Sequence, residues 1–126
     1  ITSINQSGFA YCYVLKYINT NASITTLGPQ SFQACQSLLE IYVPNVASIT
    51  NTAFANCYCL SSIKIPSTVT SIGTTAFSSC YGMTDYYIYP TSPPALTNSN
   101  SFANIQACAV MHVPASYLST YQTASI

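Results

Sequence analysis

The sequence predicts a mainly β, right-handed solenoid of about four regular coils of 22–23 residues, followed by an irregular C-terminal closing segment. Three observations carry that prediction. Phe-x-x-Cys returns at Phe9/Cys12, Phe32/Cys35, Phe54/Cys57 and Phe77/Cys80, in steps of 23, 22 and 23 residues. Apolar residues stand five and eight positions before each Phe: Ile4 and Ile1, Leu27 and Ile24, Ile49 and Val46, Ile72 and Val69. After each Cys comes a third pattern: Leu15-x-x-Ile18, Leu38-x-x-Ile41-x-Val43-Pro44, Leu60-x-x-Ile63-x-Ile65-Pro66 and Met83-x-x-Tyr86-x-Ile88. Self-similarity at such a period marks stacked units, because one unit cannot bury its apolar face alone.

Each part of the coil follows from its residues. The Leu-x-x-Ile-x-Ile pattern ends in alternation, so its apolar side chains face inward from a short strand. Pro44 and Pro66 end that strand, since proline has no amide hydrogen to give to a ladder. The arm carrying Ile-x-x-Ile-x-x-x-x-Phe returns on the opposite side, and Gly28 and Gly73 are expected to permit a tight bend there. The predicted inward set is Ile4, Phe9, Leu15, Ile18, Leu27, Phe32, Leu38, Ile41, Val43, Ile49, Phe54, Leu60, Ile63, Ile65, Ile72, Phe77, Met83 and Ile88. Residues 1–90 form the regular coils. Residues 91–126 form a degenerate repeat at Phe102 and a cap, in one continuous domain, with Tyr117 and Tyr121 folding over the last coil.

"IPSTVTSIGTTAFSSCYGM" (65–83) resembles the BspA-like leucine-rich repeats, whose coils read Ile-Pro-x-x-Val-x-x-Ile-Gly-x-x-Ala-Phe-x-x-Cys-x-x-Leu, with Met83 in place of the final Leu. The resemblance runs through essentially all 126 residues, and "SPPALTNSNSF" to "MHVPASYLSTYQTA" is similar to the family's closing segment. It implies a leucine-rich-repeat solenoid whose strand sheet is a concave, ligand-binding surface. It also implies a surface, secreted or virion setting, often an adhesive one.

Composition narrows the function. Hydrophobic residues make up 49% of the chain and charged residues only 3%, against about a quarter in ordinary domains. The formal charges are Lys16, Lys64, Glu40 and Asp85, with a single histidine, His112. Nothing here neutralises a row of phosphates, so nucleic acid is excluded as a partner, and so is a polybasic membrane contact. No apolar run reaches the length of a membrane-spanning helix, so membrane insertion is not expected. Ile1 already sits inside a repeat, which reads as a mature or excised form. An exterior of Ser, Thr, Asn, Gln and Tyr without net charge favours self-association and an extracellular, cell-surface or virion location.

Chemistry finds little footing. Cys12, Cys35, Cys57 and Cys80 share one repeat position, so they form an inward ladder with rungs roughly 4.8 Å apart. Side chains in register point the same way, which favours small buried thiols over disulfide bridges. Cys59 lies outside the ladder and is the expected reactive thiol; Cys57-x-Cys59 has no second pair to complete a zinc site. Cys108 and His112 are four residues apart without a local motif or an orienting acid. Four glycines supply no phosphate loop. The sequence therefore predicts no catalytic residue, no metal and no cofactor. Asn5-Gln-Ser7 and Asn21-Ala-Ser23 are glycosylation sequons that matter only in a eukaryotic secretory host.

The outward strand positions are the more informative ones. The fifth position of Leu-x-x-Ile-x-Ile holds Asn19, Tyr42, Lys64, Tyr87 and, by a looser alignment, His112. The third holds Tyr17, Glu40, Ser62, Asp85 and Val110, and the second holds Lys16, Leu39, Ser61, Thr84 and Ala109. All four formal charges thus fall on one face, beside three tyrosines. Exposed strands need polar residues in any case, and tyrosine suits strands. The functional reading is a recognition or adhesion module, non-enzymatic, whose site is Tyr17, Glu40, Tyr42, Lys64, Asp85 and Tyr87. Tyrosine offers large contact area at low entropic cost, so a glycan or a protein is the expected partner. The alternative is a structural subunit of a self-assembling surface fibre or phage virion, a homo-oligomer or filament packed through solenoid ends and the tyrosine edge of Tyr13, Tyr58 and Tyr81.

Overall fold

The computed structural model describes residues 1–123, with side chains described through residue 120. Within this span the chain is a mainly β solenoid of about five turns, built from very short strands. These are β1 (Ser3–Ile4), β2 (Tyr17–Ile18), β3 (Thr26–Leu27), β4 (Glu40–Ile41), β5 (Ser48–Ile49), β6 (Ser62–Ile65), β7 (Ser71–Ile72), β8 (Asp85–Ile88), β9 (Ala95–Leu96) and β10 (Val110–His112). A 3₁₀ turn (Ala115–Tyr117) and helix α1 (Leu118–Thr123) follow. All pairing is parallel and joins equivalent positions of neighbouring coils: Tyr17 with Glu40, Lys64 with Tyr87, and Tyr87 with His112. The looser alignment of His112 is therefore the true one.

Each coil has three sides. The strand face carries β2 and β4, then β6, β8 and β10; the return side carries β1 and β3, then β5, β7 and β9. Between them runs an arc centred on the repeated Phe. The rings of Phe9, Phe32, Phe54, Phe77 and Phe102 stack in one column, with successive centroids 5.3, 5.5, 5.6 and 5.4 Å apart. Beside them the thiols of Cys35, Cys57 and Cys80 donate to the carbonyl oxygens of Phe9, Phe32 and Phe54, one coil back, at 3.1–3.2 Å. The cysteine is thus the residue small and apolar enough for the column that can also satisfy a buried carbonyl.

The arc also explains a backbone regularity that no glycine betrays. Residues two before the Phe (Ser7, Gln30, Thr52, Thr75) and two after it (Tyr11, Ala34, Asn56, Ser79, Asn104) have φ between 54° and 63°. That left-handed conformation costs about 1–2 kcal/mol for a residue with a Cβ. It turns alternate amides along the solenoid axis, so that Gln30, Phe32 and Ala34 donate to Asn51, Ala53 and Ala55 of the next coil at 2.8–3.0 Å. The strain is offset by that inter-coil ladder. Gly28 and Gly73 do a different job from the bend expected of them, since no glycine has positive φ. A Cβ on Gly28 would stand 2.4 Å from Gln6 N, and one on Gly73 would stand 2.5 Å from Asn51 N. These glycines let neighbouring coils approach.

The predicted inward set is buried except for Phe9, Leu15 and Ile18 of the first coil, which are half-buried. Tyr86, which stands at the inward position of Met83-x-x-Tyr86-x-Ile88 but is absent from the predicted set, joins the core. It takes the inward position of Ile41 and Ile63, edge-on to Phe77 and Phe102 with centroids at 5.7 and 5.2 Å. Its hydroxyl is buried without a hydrogen-bond partner, and that burial holds the phenol well above its usual pKa. Tyr117 packs against the core in the closing segment; the side chain of Tyr121 lies outside the described residues. No helix among the described residues is long and apolar enough to cross a membrane.

Candidate functional site

The strand face is positioned by the alternation that buries Ile41, Val43, Ile63 and Ile65. Outward residues between them must face solvent, and Tyr42 and Lys64 are both exposed. Tyr17, Asn19, Glu40, Tyr42, Ser62 and Lys64 line a depression of 320 Å³ on this face. A second depression, of 710 Å³, continues it towards the end of the strands and is lined by Tyr42, Pro44, Lys64, Pro66, Ser67 and Tyr89. Tyr42 and Lys64 line both, so the two depressions adjoin at these side chains. Four predicted site residues, Tyr17, Glu40, Tyr42 and Lys64, are thereby brought together.

The other two, Asp85 and Tyr87, are engaged elsewhere on the same face. His112 Nε2 lies 2.6 Å from Asp85 Oδ1, and its ring stacks on Tyr87 with centroids 4.6 Å apart. Thr84 Oγ1 donates to Asp85 Oδ2 at 2.7 Å. The hydrogen bond from His112, then that from Thr84, hold the Asp85 carboxyl below its ordinary pKa. The sequence showed no acid beside His112. Asp85 supplies one from 27 residues away, brought there by the pairing of β8 with β10. Among the described residues His112–Asp85 is the one ion pair, and Lys64 and Glu40 have none.

Three of the four ladder cysteines follow the repeat, and Cys12 of the first coil is only half-buried. Cys35, Cys57 and Cys80 are buried, and burial pushes the thiols of Cys35 and Cys80 up to about 11 and about 12 and that of Cys57 higher still. Cys59 and Cys108 are exposed. Among the described residues no group of three or more His, Cys, Asp or Glu could hold a metal ion. The edge tyrosines are exposed, with Tyr58 and Tyr81 stacked at 5.5 Å and Tyr11 and Tyr13 tilted together at 6.1 Å. Tyr11 and Tyr89 were missed as surface features. Tyr11 is hidden in the sequence at a variable position of the Phe-x-x-Cys motif, and Tyr89 by standing where the second and third coils have Pro44 and Pro66.

Comparison with known proteins gives the same architecture. The chain is similar over 99% of its length to a leucine-rich cell surface protein of Faecalibacterium prausnitzii, at 24% identity and a TM-score of 0.76. It is similar over 90% of its length to a leucine-rich repeat protein of Bacteroides ovatus, at 20% identity and a TM-score of 0.73. It spans 33% and 28% of those two chains, so both relatives are about three times longer. No curated protein matches it significantly. The model of the BspA type leucine rich repeat region matches residues 2–124 in six copies, and the chain belongs to that family.

Proposed function

We propose that the protein is a non-enzymatic recognition module of a cell surface, binding a protein or glycan through its strand face. The observation that carries this reading is the pair of adjoining depressions on that face. They gather Tyr17, Tyr42 and Tyr89 with Lys64 and Glu40, which form no ion pair among the described residues, on a surface otherwise almost without charge. Asp85 and Tyr87 extend the face beyond the depressions, braced by His112. Similarity to a described cell surface protein supports the location. One such face gives weak affinity, and adhesion then comes from several copies acting together.

The test is a combined glycan and peptide array probed with multivalent wild type and with Tyr42→Ala/Lys64→Ala. We expect the double variant to lose at least about tenfold in binding, the size of one or two lost contacts. Equal binding by both proteins would move the site off this face. A second reading, assembly into a fibre or virion, draws on the exposed Tyr58–Tyr81 and Tyr11–Tyr13 pairs along one edge. Light scattering at rising concentration checks it: mass that grows with concentration supports assembly, and a constant monomer mass rejects it.

A further inference from the structure

Along the arc, the fifth coil is fastened to the fourth by fewer bonds than join any earlier pair of coils. Three amides cross each earlier junction: those of Ser7, Phe9 and Tyr11, then Gln30, Phe32 and Ala34, then Thr52, Phe54 and Asn56. Two cross the last, Phe77 N–H to Ser101 O and Ser79 N–H to Ala103 O, both at 2.8 Å. The sequence accounts for the missing rung from Thr75. Leu96 stands six residues before Phe102, where Ile72 stands five before Phe77, and the extra residue is taken up in a 3₁₀ turn, Ser99–Phe102. Asn100 in that turn lacks the positive φ that Thr75 has two residues before Phe77. The thiol rung is missing as well. Ile105 stands where the other coils have cysteine, so the thiol ladder ends with Cys80 on Phe54 O.

Beyond Phe102 the chain is attached in a different way. β10 is exposed along its whole length, and Ile105, Ala109, Val113 and Tyr117 are only half-buried. Met111 of β10 pairs with Tyr86, whose ring stands edge-on to Phe77 and Phe102 and whose hydroxyl is buried without a partner. Such a hydroxyl is unfavourable where it is, and contact with water relieves it. What holds the segment down lies on the outside: the ladder of β10 on β8, Gln106 Nε2 donating to Tyr81 O at 2.6 Å, and His112. His112 is bonded to Asp85 and stacked on Tyr87. The return side of the same coil is secured like the others, with the Ala95 and Thr97 amides on Thr70 O and Ile72 O at 2.9 and 3.0 Å.

We infer that residues 105–123 form a strap that opens as one unit just after Phe102, while β9 and the arc stay on the solenoid. Two groups set the balance. The unpartnered Tyr86 hydroxyl favours opening, because lifting Met111 from its place beside Tyr86 lets water reach that group. His112 opposes it as a clasp, through Asp85 and Tyr87 of β8. Opening uncovers the edge of β8, Asp85–Ile88, and frees Asp85 and Tyr87 from His112. The device is independent of which ligand the strand face takes.

Amide hydrogen exchange of the whole protein, read residue by residue by NMR at neutral pH, tests this in wild type, Tyr86→Phe and His112→Ala. The Val110 amide, which donates to Thr84 O at 2.7 Å, reports the strap; those of Ser79, Ala95 and Thr97 report the part that stays. In wild type we expect Val110 to exchange at least about tenfold faster than the other three. Tyr86→Phe should slow Val110 by at least about fivefold, the scale of one unsatisfied buried hydroxyl, and leave Ser79, Ala95 and Thr97 unchanged. His112→Ala should speed Val110 by about twofold or more, the scale of a partly exposed pair. Equal protection of Val110 and Ala95 in wild type would overturn the strap. Ala95 and Thr97 following Val110 in both variants would mean that the whole coil opens, and would overturn the boundary at Phe102. An unchanged Val110 rate in either variant would overturn the balance assigned to that residue.

Discussion

The phenylalanine arc and the strand face share one period and one backbone path, yet the sequence treats them oppositely. On the arc, Phe and Cys recur in four successive coils, and the rings, thiols and left-handed residues repeat with them. On the strand face the fifth position reads Asn19, Tyr42, Lys64, Tyr87 and His112, with no residue used in every coil. The arc is fixed because each ring is the floor of the next coil, and a change in one rung is felt by two neighbours. The strand face touches solvent, so its residues are free to differ. In a solenoid, departure from the repeat is where function is sought.

The contrast breaks most sharply at the column. Phe54→Ala should destabilise the protein by about 3–5 kcal/mol, leaving a cavity between Phe32 and Phe77, whereas Tyr42→Ala should stay within about 0.5 kcal/mol. Urea unfolding of the two variants measures the difference, and similar losses would contradict the division into fixed and free faces.

Thiol chemistry sharpens it. At pH 8 a Cys35 thiol held at about 11 carries roughly a thousandth of its groups as reactive thiolate, before its inaccessibility is counted. Iodoacetamide labelling followed by peptide mass spectrometry should modify Cys59 and Cys108 in the native protein and reach Cys35, Cys57 and Cys80 only after unfolding. Early labelling of the ladder would mean that the column opens in the native state.

Gly73→Ala tests the closeness of the coils. A methyl 2.5 Å from Asn51 N cannot be accommodated by moving a flexible side chain, so a loss of about 1–3 kcal/mol in stability is expected. The two glycines show what could be read in advance and what could not. The period, the inward set and the strand register were legible because they are one-dimensional facts of spacing. The role of glycine was not, since a bend and a close approach both ask for the same residue and only the neighbouring coil tells them apart. Tyr86 was hidden for the same reason: the sequence shows a tyrosine at an apolar position, and the edge-on space between Phe77 and Phe102 exists only in the stack. The candidate site was half legible. Spacing put Tyr17, Glu40, Tyr42 and Lys64 on one face, but the depression between them depends on how side chains of neighbouring coils stand against one another.

The smallest expected effect lies at the C-terminal end of the strand face, where Asp85 of β8 holds His112 of β10. The folded state keeps the Asp85 carboxyl below its ordinary pKa through the hydrogen bonds from His112 and Thr84. A carboxyl depressed on folding contributes stability above its unfolded pKa of about 3.9 and loses that contribution as pH falls through the folded value. The closing segment should therefore loosen in acid, from below about pH 4. The pair is partly exposed, so it should also weaken with salt. Asp85→Asn should remove both dependences while leaving the rest of the solenoid as it is, because Asp85 packs on no part of the phenylalanine column. Hydrogen exchange at Met111 and His112, followed from pH 6 to pH 3, provides the measurement. Faster opening in acid by wild type with a flat response from Asp85→Asn is the expected pattern. An identical acid response from both proteins would assign the loosening to other groups and leave the Asp85–His112 contact without a role in closing the fold.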